Sequence, residues 1–261
     1  RYGELYADAD VIQIDIDEES IATHQIPAVG MVADARRAIE ALTDRLEPNP
    51  DRAAAVKETI AGAPFPWADG FGQRPDEIDP GEFTVELSER VPDDAIVTVD
   101  SGNNTGFPAV FHDIGEDGTM LVNGNFGTMG YSLPAALGAQ ATAPEKTVVC
   151  YTGDGALLQV IQEIETGVRL GLPVIVAILN DRSYGIIRHR QNMIYERETA
   201  STYDSADFVQ IAEGFGAEGA VVRSPDDLDV VEEFLASNPE VPLVLDARTI
   251  PEVSRPGFPP Y

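Results

Sequence analysis

The sequence predicts an α/β protein: a doubly wound, mostly parallel sheet with helices on both faces, preceded by a partial α/β unit. Two apolar runs, Thr147–Tyr151 and Val174–Leu179, read as strands. A helical pattern from Leu157 to Leu170 lies between them and ends at Gly171-Leu172-Pro173. The same alternation of strand and helix continues from Pro80 almost to the C-terminus. Such alternation builds parallel sheets through right-handed crossovers.

The elements follow in order. Residues 1–46 hold a short strand, Val11 to Ile16, a turn at Asp17-Glu18-Glu19-Ser20, and a helix from about Ala35 to Leu46. Ile39 and Leu42 are spaced to share one apolar face of that helix. These elements do not close a domain, so 1–46 is expected to be the C-terminal remnant of a central domain. Residues 47–80 are polar and rich in Pro and Gly, which predicts a linker with one helix near 51–61. The main domain is expected over 81–250. It opens with a helix at 81–90 and strand Ala95–Val99, which ends in the loop Asp100-Ser-Gly-Asn-Asn-Thr105. A second loop, Asn123-Gly-Asn-Phe-Gly-Thr-Met-Gly130, precedes a helix of small residues around 133–141. Strand 147–152, helix 156–170 and strand 174–179 come next. The polar stretch 181–204 carries Arg182, Arg188, His189, Arg190 and Arg197. Helix 206–215, strand 219–222, helix 226–236 and strand Leu243–Asp246 finish the domain, leaving 251–261 as a tail.

Charge narrows the range of partners. The 261 residues carry a formal net charge of −28, which repels nucleic acid and anionic membrane. Of the 17 basic residues only Lys57 and Lys146 are lysines. Acid-rich, lysine-poor surfaces suit a salty cytosol that screens such charge, so a salt-loving source is expected. Hydrophobic residues make up 43% of the chain, enough for a full core. The one cysteine, Cys150, lies in an apolar strand, so no intrachain disulfide or cysteine metal site forms. No apolar run reaches membrane-spanning length and no signal peptide stands at the start, which predicts a cytoplasmic protein. The first residue is Arg rather than Met, so the natural translation start is expected elsewhere.

The chemistry is concentrated at two strand ends. Gly153-Asp154-Gly155 follows one strand and Asn180 follows the next parallel one. A right-handed crossover puts both on the same edge of the sheet, where open α/β sheets bind ligands. Gly-Asp-Gly alone is a common turn. At a strand end that opens a helix, its glycines admit a ligand close to the backbone, and N–H groups near Ala156 face a phosphate. Asp154 offers a charged oxygen, Asn180 a neutral one, and the backbone carbonyl of Arg182 a third, a set suited to Mg²⁺ carrying a diphosphate.

These residues resemble the metal and diphosphate motif of thiamine diphosphate enzymes. Phe126-Gly-Thr-Met-Gly-Tyr-Ser-Leu-Pro-Ala-Ala-Leu-Gly138 is similar to the matching stretch of acetolactate synthases and related 2-keto acid decarboxylases. Ala9 to Asp17, with Asp34-Ala-Arg36, resembles the end of their central domain. The resemblance implies a thiamine diphosphate-binding domain in which Asp154, Asn180 and the Arg182 carbonyl hold Mg²⁺. It places Gly153, Gly155 and Ala156 against the diphosphate, with Asn103 and Asn104 of the Gly102 loop as donors to it. It gives the Gly127 carbonyl to the aminopyrimidine and sets Met129 under the cofactor to impose its bent shape. Tyr184, Gly185 and Ile186 border the reacting centre. Simple alternatives remain for Met129 as a core filler and for Asn103 and Asn104 as turn formers. His112 and His189 have no partner at ligand spacing.

The same resemblance implies cleavage of a 2-keto acid, with the acyl group passed to an acceptor or to a proton. It also implies a homodimer or homotetramer, with FAD possible in the full-length protein. The activating glutamate of the family belongs to an N-terminal pyrimidine-binding domain of a neighbouring subunit, and no residue here matches it. Catalytic residues are therefore unknown from this sequence, and the 261 residues alone are expected to be inactive. Arg190 stands where many acetolactate synthases carry a tryptophan, which favours a differently placed or more acidic substrate. The arginines of 182–197 form either a solvated loop or a mobile lid that neutralises an anionic substrate.

Overall fold

A computed structural model describes residues 9–62, 70–204 and 206–256. They divide into two compact units, 1–65 and 66–261. In the first, β1 (Ile12–Asp15) pairs in parallel with β2 (Val29–Val32). Helix α1 (Ala35–Thr43) starts where Asp34 accepts a hydrogen bond from the Arg37 N–H, and α2 (Pro50–Ala61) starts likewise from Asn49. Strand β2 is absent from the expected elements, because Val29-Gly-Met-Val32 is short and follows Pro27.

The second unit begins with α3 (Pro80–Glu89), capped by Asp79, which accepts N–H bonds from Gly72 and Gly81. Residues 70–79 belong to this unit: the Ile78 N–H donates to Arg248 O and its carbonyl accepts from Ile250. Then follow β3 (Ile96–Val99), α4 (Gly106–Phe111), β4 (Thr119–Val122), α5 (Ser132–Thr142) and β5 (Val148–Gly153). After these come α6 (Asp154–Leu157), α7 (Glu163–Leu170), β6 (Ile175–Asn180), α8 (Gly185–Tyr195) and α9 (Phe208–Phe215). Strand β7 (Glu218–Val222), α10 (Asp229–Ala236) and β8 (Leu243–Arg248) complete the unit. The six strands run in the order β4-β3-β5-β6-β8-β7, every pairing parallel.

Alternation along the strands sends side chains to two cores. Val149, Tyr151, Ile175, Ala177 and Leu179 pack with Phe83, Leu87, Phe107 and Phe234 of α3, α4 and α10. Val148, Cys150, Val176 and Ile178 pack on the other face with Leu133, Leu137, Ile164 and Phe208 of α5, α7 and α9. Helices thus cover both faces, the doubly wound arrangement expected. Each buried Val, Leu, Ile or Phe contributes about 1.5–3 kcal/mol relative to exposure, so the central strands β5 and β6 anchor the unit.

Three departures from the sequence reading stand out. The helix expected over 156–170 is two helices, because the N–H groups of Gln159, Val160, Glu163 and Ile164 reach back three residues rather than four. The polar stretch 181–204 contains α8, where the sequence predicts no helix from apolar periodicity. Strand β4 and helix α4 were also missed. Among the described residues no helix is long and apolar enough to cross a membrane.

Candidate functional site

Strand order reverses direction at β3, with β4 on one side and β5 on the other. At such a switch point neighbouring loops diverge to opposite faces and leave a crevice at the carboxyl edge. A cavity of about 260 Å³ occupies this crevice. The loop after β3 supplies Gly102, Asn103 and Asn104, the loop before α5 supplies Gly127 and Met129, and the tip of β5 supplies Gly153, Asp154, Gly155 and Ala156. The start of α8 adds Tyr184, Gly185 and Ile186. All eleven residues expected around the ligand therefore line one cavity, together with Asp154.

Asn180 and Arg182 do not line it. Asn180 is the last residue of β6, and period 2 puts its side chain on the face of Val176 and Ile178. There its Nδ2 donates to Asp246 Oδ1 at 2.7 Å, and its Oδ1 accepts the Arg182 N–H at 3.3 Å. Asp246 Oδ2 lies 2.7 Å from Arg248 Nη2 in an ion pair. The expected ligand is thus a buried tie between two strand ends. The Arg182 carbonyl accepts the Tyr203 N–H at 3.1 Å, and the Arg182 guanidinium is bonded to Glu77.

Asp181, one residue beyond the strand, lines the cavity instead. Its Oδ1 accepts from the Ser183 N–H at 3.0 Å and from Ser183 Oγ at 2.9 Å. A methyl group on Gly185 would lie 2.3 Å from Asp181 Oδ2, so only glycine fits there. The strand period is the signal that separates Asn180 from Asp181: Asn180 shares the face of Val176 and Ile178, whereas Asp181 follows on the side of Leu179, which lines the cavity.

Asp154 is 2% exposed, and its Oδ2 is buried with no hydrogen-bond partner. Burial pushes its carboxyl up to about 7, and the nearby Asp181 adds to the shift. Burial likewise raises Asp181 to about 6, against the bonds from Ser183. Two buried carboxylates facing one cavity, one with an orphaned oxygen, are costly unless a cation joins them. Among the described residues no three His, Cys, Asp or Glu side chains cluster as a metal site, so the remaining ligands of such a cation must be main-chain oxygens, water or a bound anion.

The surrounding loops are held by Asp100 at the end of β3. Its carboxylate accepts N–H bonds from Ser101, Gly130 and Ser132, and a hydroxyl bond from Ser132. Asn104 Nδ2 donates to Asp100 O, and Asn103 binds the C-terminal segment, its Nδ2 to Val253 O and its Oδ1 to the Arg255 N–H. In this arrangement the two asparagine side chains brace the loop.

Several expectations about the arginines change. Arg188 pairs with Glu198 and Glu252 and donates to Pro251 O, so Arg182 and Arg188 are neutralised by carboxylates of the chain itself. Arg190 is exposed and does not line the cavity. His112 is buried beside the Tyr151 hydroxyl at 2.9 Å, and burial lowers it to about 4. Cys150 is buried, donates to Ser132 Oγ, and is pushed up to about 12 by burial.

Fold and site define a parallel α/β domain with a cavity at its switch point, lined by glycine-rich loops and two buried carboxylates. Residues 100–247 match the family model described as thiamine pyrophosphate enzyme, C-terminal TPP binding domain. The match covers more than half of the chain, and the chain belongs to this family. It is 32% identical over 228 residues to the acetolactate synthase isozyme 3 large subunit of Escherichia coli strain K12, covering 85% of this chain and 40% of that protein. Against the acetolactate synthase large subunit of Corynebacterium glutamicum it is 30% identical over 250 residues, 92% of this chain and 40% of the other. Among solved structures, the thiamine diphosphate-dependent 4-hydroxybenzoylformate decarboxylase of Rhodococcus jostii RHA1 superposes with a TM-score of 0.73 at 25% identity, over 92% of this chain and 44% of that one. The chain thus spans about 40% of the length of these synthase relatives.

Proposed function

We propose that the cavity anchors thiamine diphosphate through Mg²⁺ held by Asp154 and Asp181, in a protein that cleaves 2-keto acids and joins the acyl fragment to an acceptor as acetolactate synthases do. The observation that carries the cation site is the buried, unpartnered Asp154 Oδ2 beside a second buried carboxylate. A divalent cation satisfies that oxygen and neutralises both groups, and the diphosphate fills the coordination shell. When bound, thiamine diphosphate supplies carbanion stabilisation at the carbonyl carbon of a 2-keto acid.

The chain's own residues bind and orient. Gly153, Gly155 and Ala156 let the diphosphate approach the backbone, and the Gly102–Asn104 loop forms the opposite wall. The Gly127 carbonyl would receive the aminopyrimidine, and Met129, which lines the same cavity, would support the cofactor from below. Leu179, Ile186 and Ile250 keep water from the reacting end. We assign cofactor activation to a glutamate of a pyrimidine-binding domain outside this chain, because the synthase relatives are much longer than the stretch matched. On this reading the 261 residues bind cofactor without turnover.

Calorimetric titration tests the anchor. Thiamine diphosphate is expected to bind only with Mg²⁺ present, and Asp154→Ala is expected to abolish binding. Cation-independent binding unaffected by Asp154→Ala contradicts the proposal. The likeness to a 4-hydroxybenzoylformate decarboxylase supports a second reading, simple decarboxylation. Feeding pyruvate to the full-length protein separates the two: acetolactate supports carboligation, and aldehyde alone supports decarboxylation.

A further inference from the structure

Beside Asp154 Oδ2 the cavity region contains a second buried polar atom without a partner, the Tyr203 hydroxyl. The two lie on one spot of the fold. A methyl group on Gly155 would stand 2.8 Å from Tyr203 Oη and 2.8 Å from Tyr184 Cε1. The Tyr203 hydroxyl thus presses on the residue that follows Asp154. The rings of Tyr203 and Tyr184 meet at 5.2 Å between centroids, tilted by 60°.

Tyr203 is held there by its main chain. Its N–H donates to Arg182 O at 3.1 Å, Ser183 and Thr202 form an antiparallel bridge, and the Tyr184 N–H donates to Ser201 O at 2.9 Å. Ser201 Oγ donates to Gln191 Oε1 of α8 at 2.8 Å. Three successive residues, Ser201, Thr202 and Tyr203, are therefore laced to the loop that carries Asp181. The phenol oxygen is buried with no partner at good hydrogen-bond geometry, a rare state for a hydroxyl in a native structure. It does interact with the Asp154 carboxyl beside it, at a geometry that leaves both atoms short of a full hydrogen bond. Each suits a third atom. A cation satisfies the carboxylate oxygen, and an oxygen bound to that cation accepts from the phenol. A neutral phenol is itself a poor ligand for a hard divalent ion, so Tyr203 acts as a donor and not as a ligand.

We propose that Tyr203 is a binding residue of the cation site, its hydroxyl donating to an oxygen in the coordination shell of the cation held at Asp154. That oxygen is a water on the cation or an oxygen of the diphosphate, and both present the same acceptor. The proposal rests on the cation anchor proposed above. It also gives Gly155 a reason: a side chain there would push the Tyr203 hydroxyl out of place.

The test uses Tyr203→Phe, which keeps the ring and removes only the hydroxyl. Mn²⁺ binding is followed by electron paramagnetic resonance, then thiamine diphosphate binding at saturating Mn²⁺ by calorimetry, with thermal melting as a check of the fold. Loss of affinity of about tenfold, the size typical for groups behind a metal ligand, is expected. A loss with Mn²⁺ alone assigns the bond to a water on the cation. A loss only in the diphosphate titration assigns it to the diphosphate. Gly155→Ala is expected to reproduce the same loss by displacing the hydroxyl. If wild type binds Mn²⁺ and cofactor, and Tyr203→Phe binds both within twofold of it, the proposal is overturned. If wild type binds neither, the cation anchor fails and this inference fails with it.

Discussion

Four aspartates lie buried at the carboxyl edge of one sheet, and they divide into two kinds. Asp100 and Asp246 are tied into the frame: Asp100 accepts three main-chain N–H bonds and the Ser132 hydroxyl, and Asp246 is bonded to Asn180 through Oδ1 while its Oδ2, without a hydrogen bond, is ion-paired with Arg248 at 2.7 Å. Asp154 and Asp181 face the cavity, and Asp154 keeps one oxygen without a partner. The same residue type at the same depth does opposite work. Carboxylates tied to the frame close the structure around themselves and fix loops. The cavity pair stores a cost that a proton or a cation relieves. Burial alone does not mark a site; a buried carboxylate oxygen with neither a hydrogen bond nor an ion pair does.

The largest expected effect lies among the carboxylates tied to the frame. Asp100→Ala leaves buried N–H groups of Gly130 and Ser132 without an acceptor, at about 1–3 kcal/mol for each unpaired donor. A loss of roughly 3–5 kcal/mol in chemical denaturation is expected. A loss under about 1 kcal/mol would show that Asp100 is not the strut described. Asp154→Asn breaks the comparison from the other side. It is expected to lower cation affinity beyond the roughly hundredfold upper range for groups behind a ligand. Without cation at pH 8, its melting temperature should stay at or above that of wild type, because an uncompensated buried charge is gone.

Acidity sharpens the contrast. In the folded protein Asp154 is raised to about 7 and Asp181 to about 6, both chiefly by burial. A carboxyl whose folded value is raised favours the fold at low pH and loses that contribution as pH climbs through the folded value. Without cation, stability is therefore expected to fall between the ordinary carboxylate range and about pH 7. Cation affinity should move oppositely, weakening below about pH 7 by up to about tenfold per pH unit for each proton displaced. Calorimetry across that range checks both slopes. The smallest effect is expected at Asn180→Ala, which unties Asp246 and should cost about 1–3 kcal/mol of stability. Cation affinity in that variant should change far less than in Asp154→Asn.

Sequence reading recovered the sheet where apolar runs were continuous, as in β5 and β6. It also assembled the cavity from three distant loops through the resemblance around Gly127, Met129 and Gly153–Ala156. Strand β4 escaped because Thr119-Met-Leu-Val122 is brief and half-exposed, and α4 because Gly106 and Pro108 are poor helix formers. Helix α8 escaped for a different reason. Its stability is tertiary: Arg188 pairs with Glu198, and Gln191 bonds Thr199 and Ser201. Asn180 and Asp181 differ by one position, and one position at a strand end decides which face a side chain meets. Tyr203 carried no local signal, since its place follows from the bridge between Ser183 and Thr202.

The central claim is that Asp154 and Asp181 share a cation while Asn180 serves the frame. A crystal structure grown with Mn²⁺ and thiamine diphosphate tests it most directly through the anomalous signal of the metal. The expected result is one Mn²⁺ bonded to Asp154 Oδ2 and to a carboxylate oxygen of Asp181, with Asn180 still joined to Asp246. A metal bonded to the Asn180 side chain, or cofactor bound with no metal at Asp154, would contradict the account.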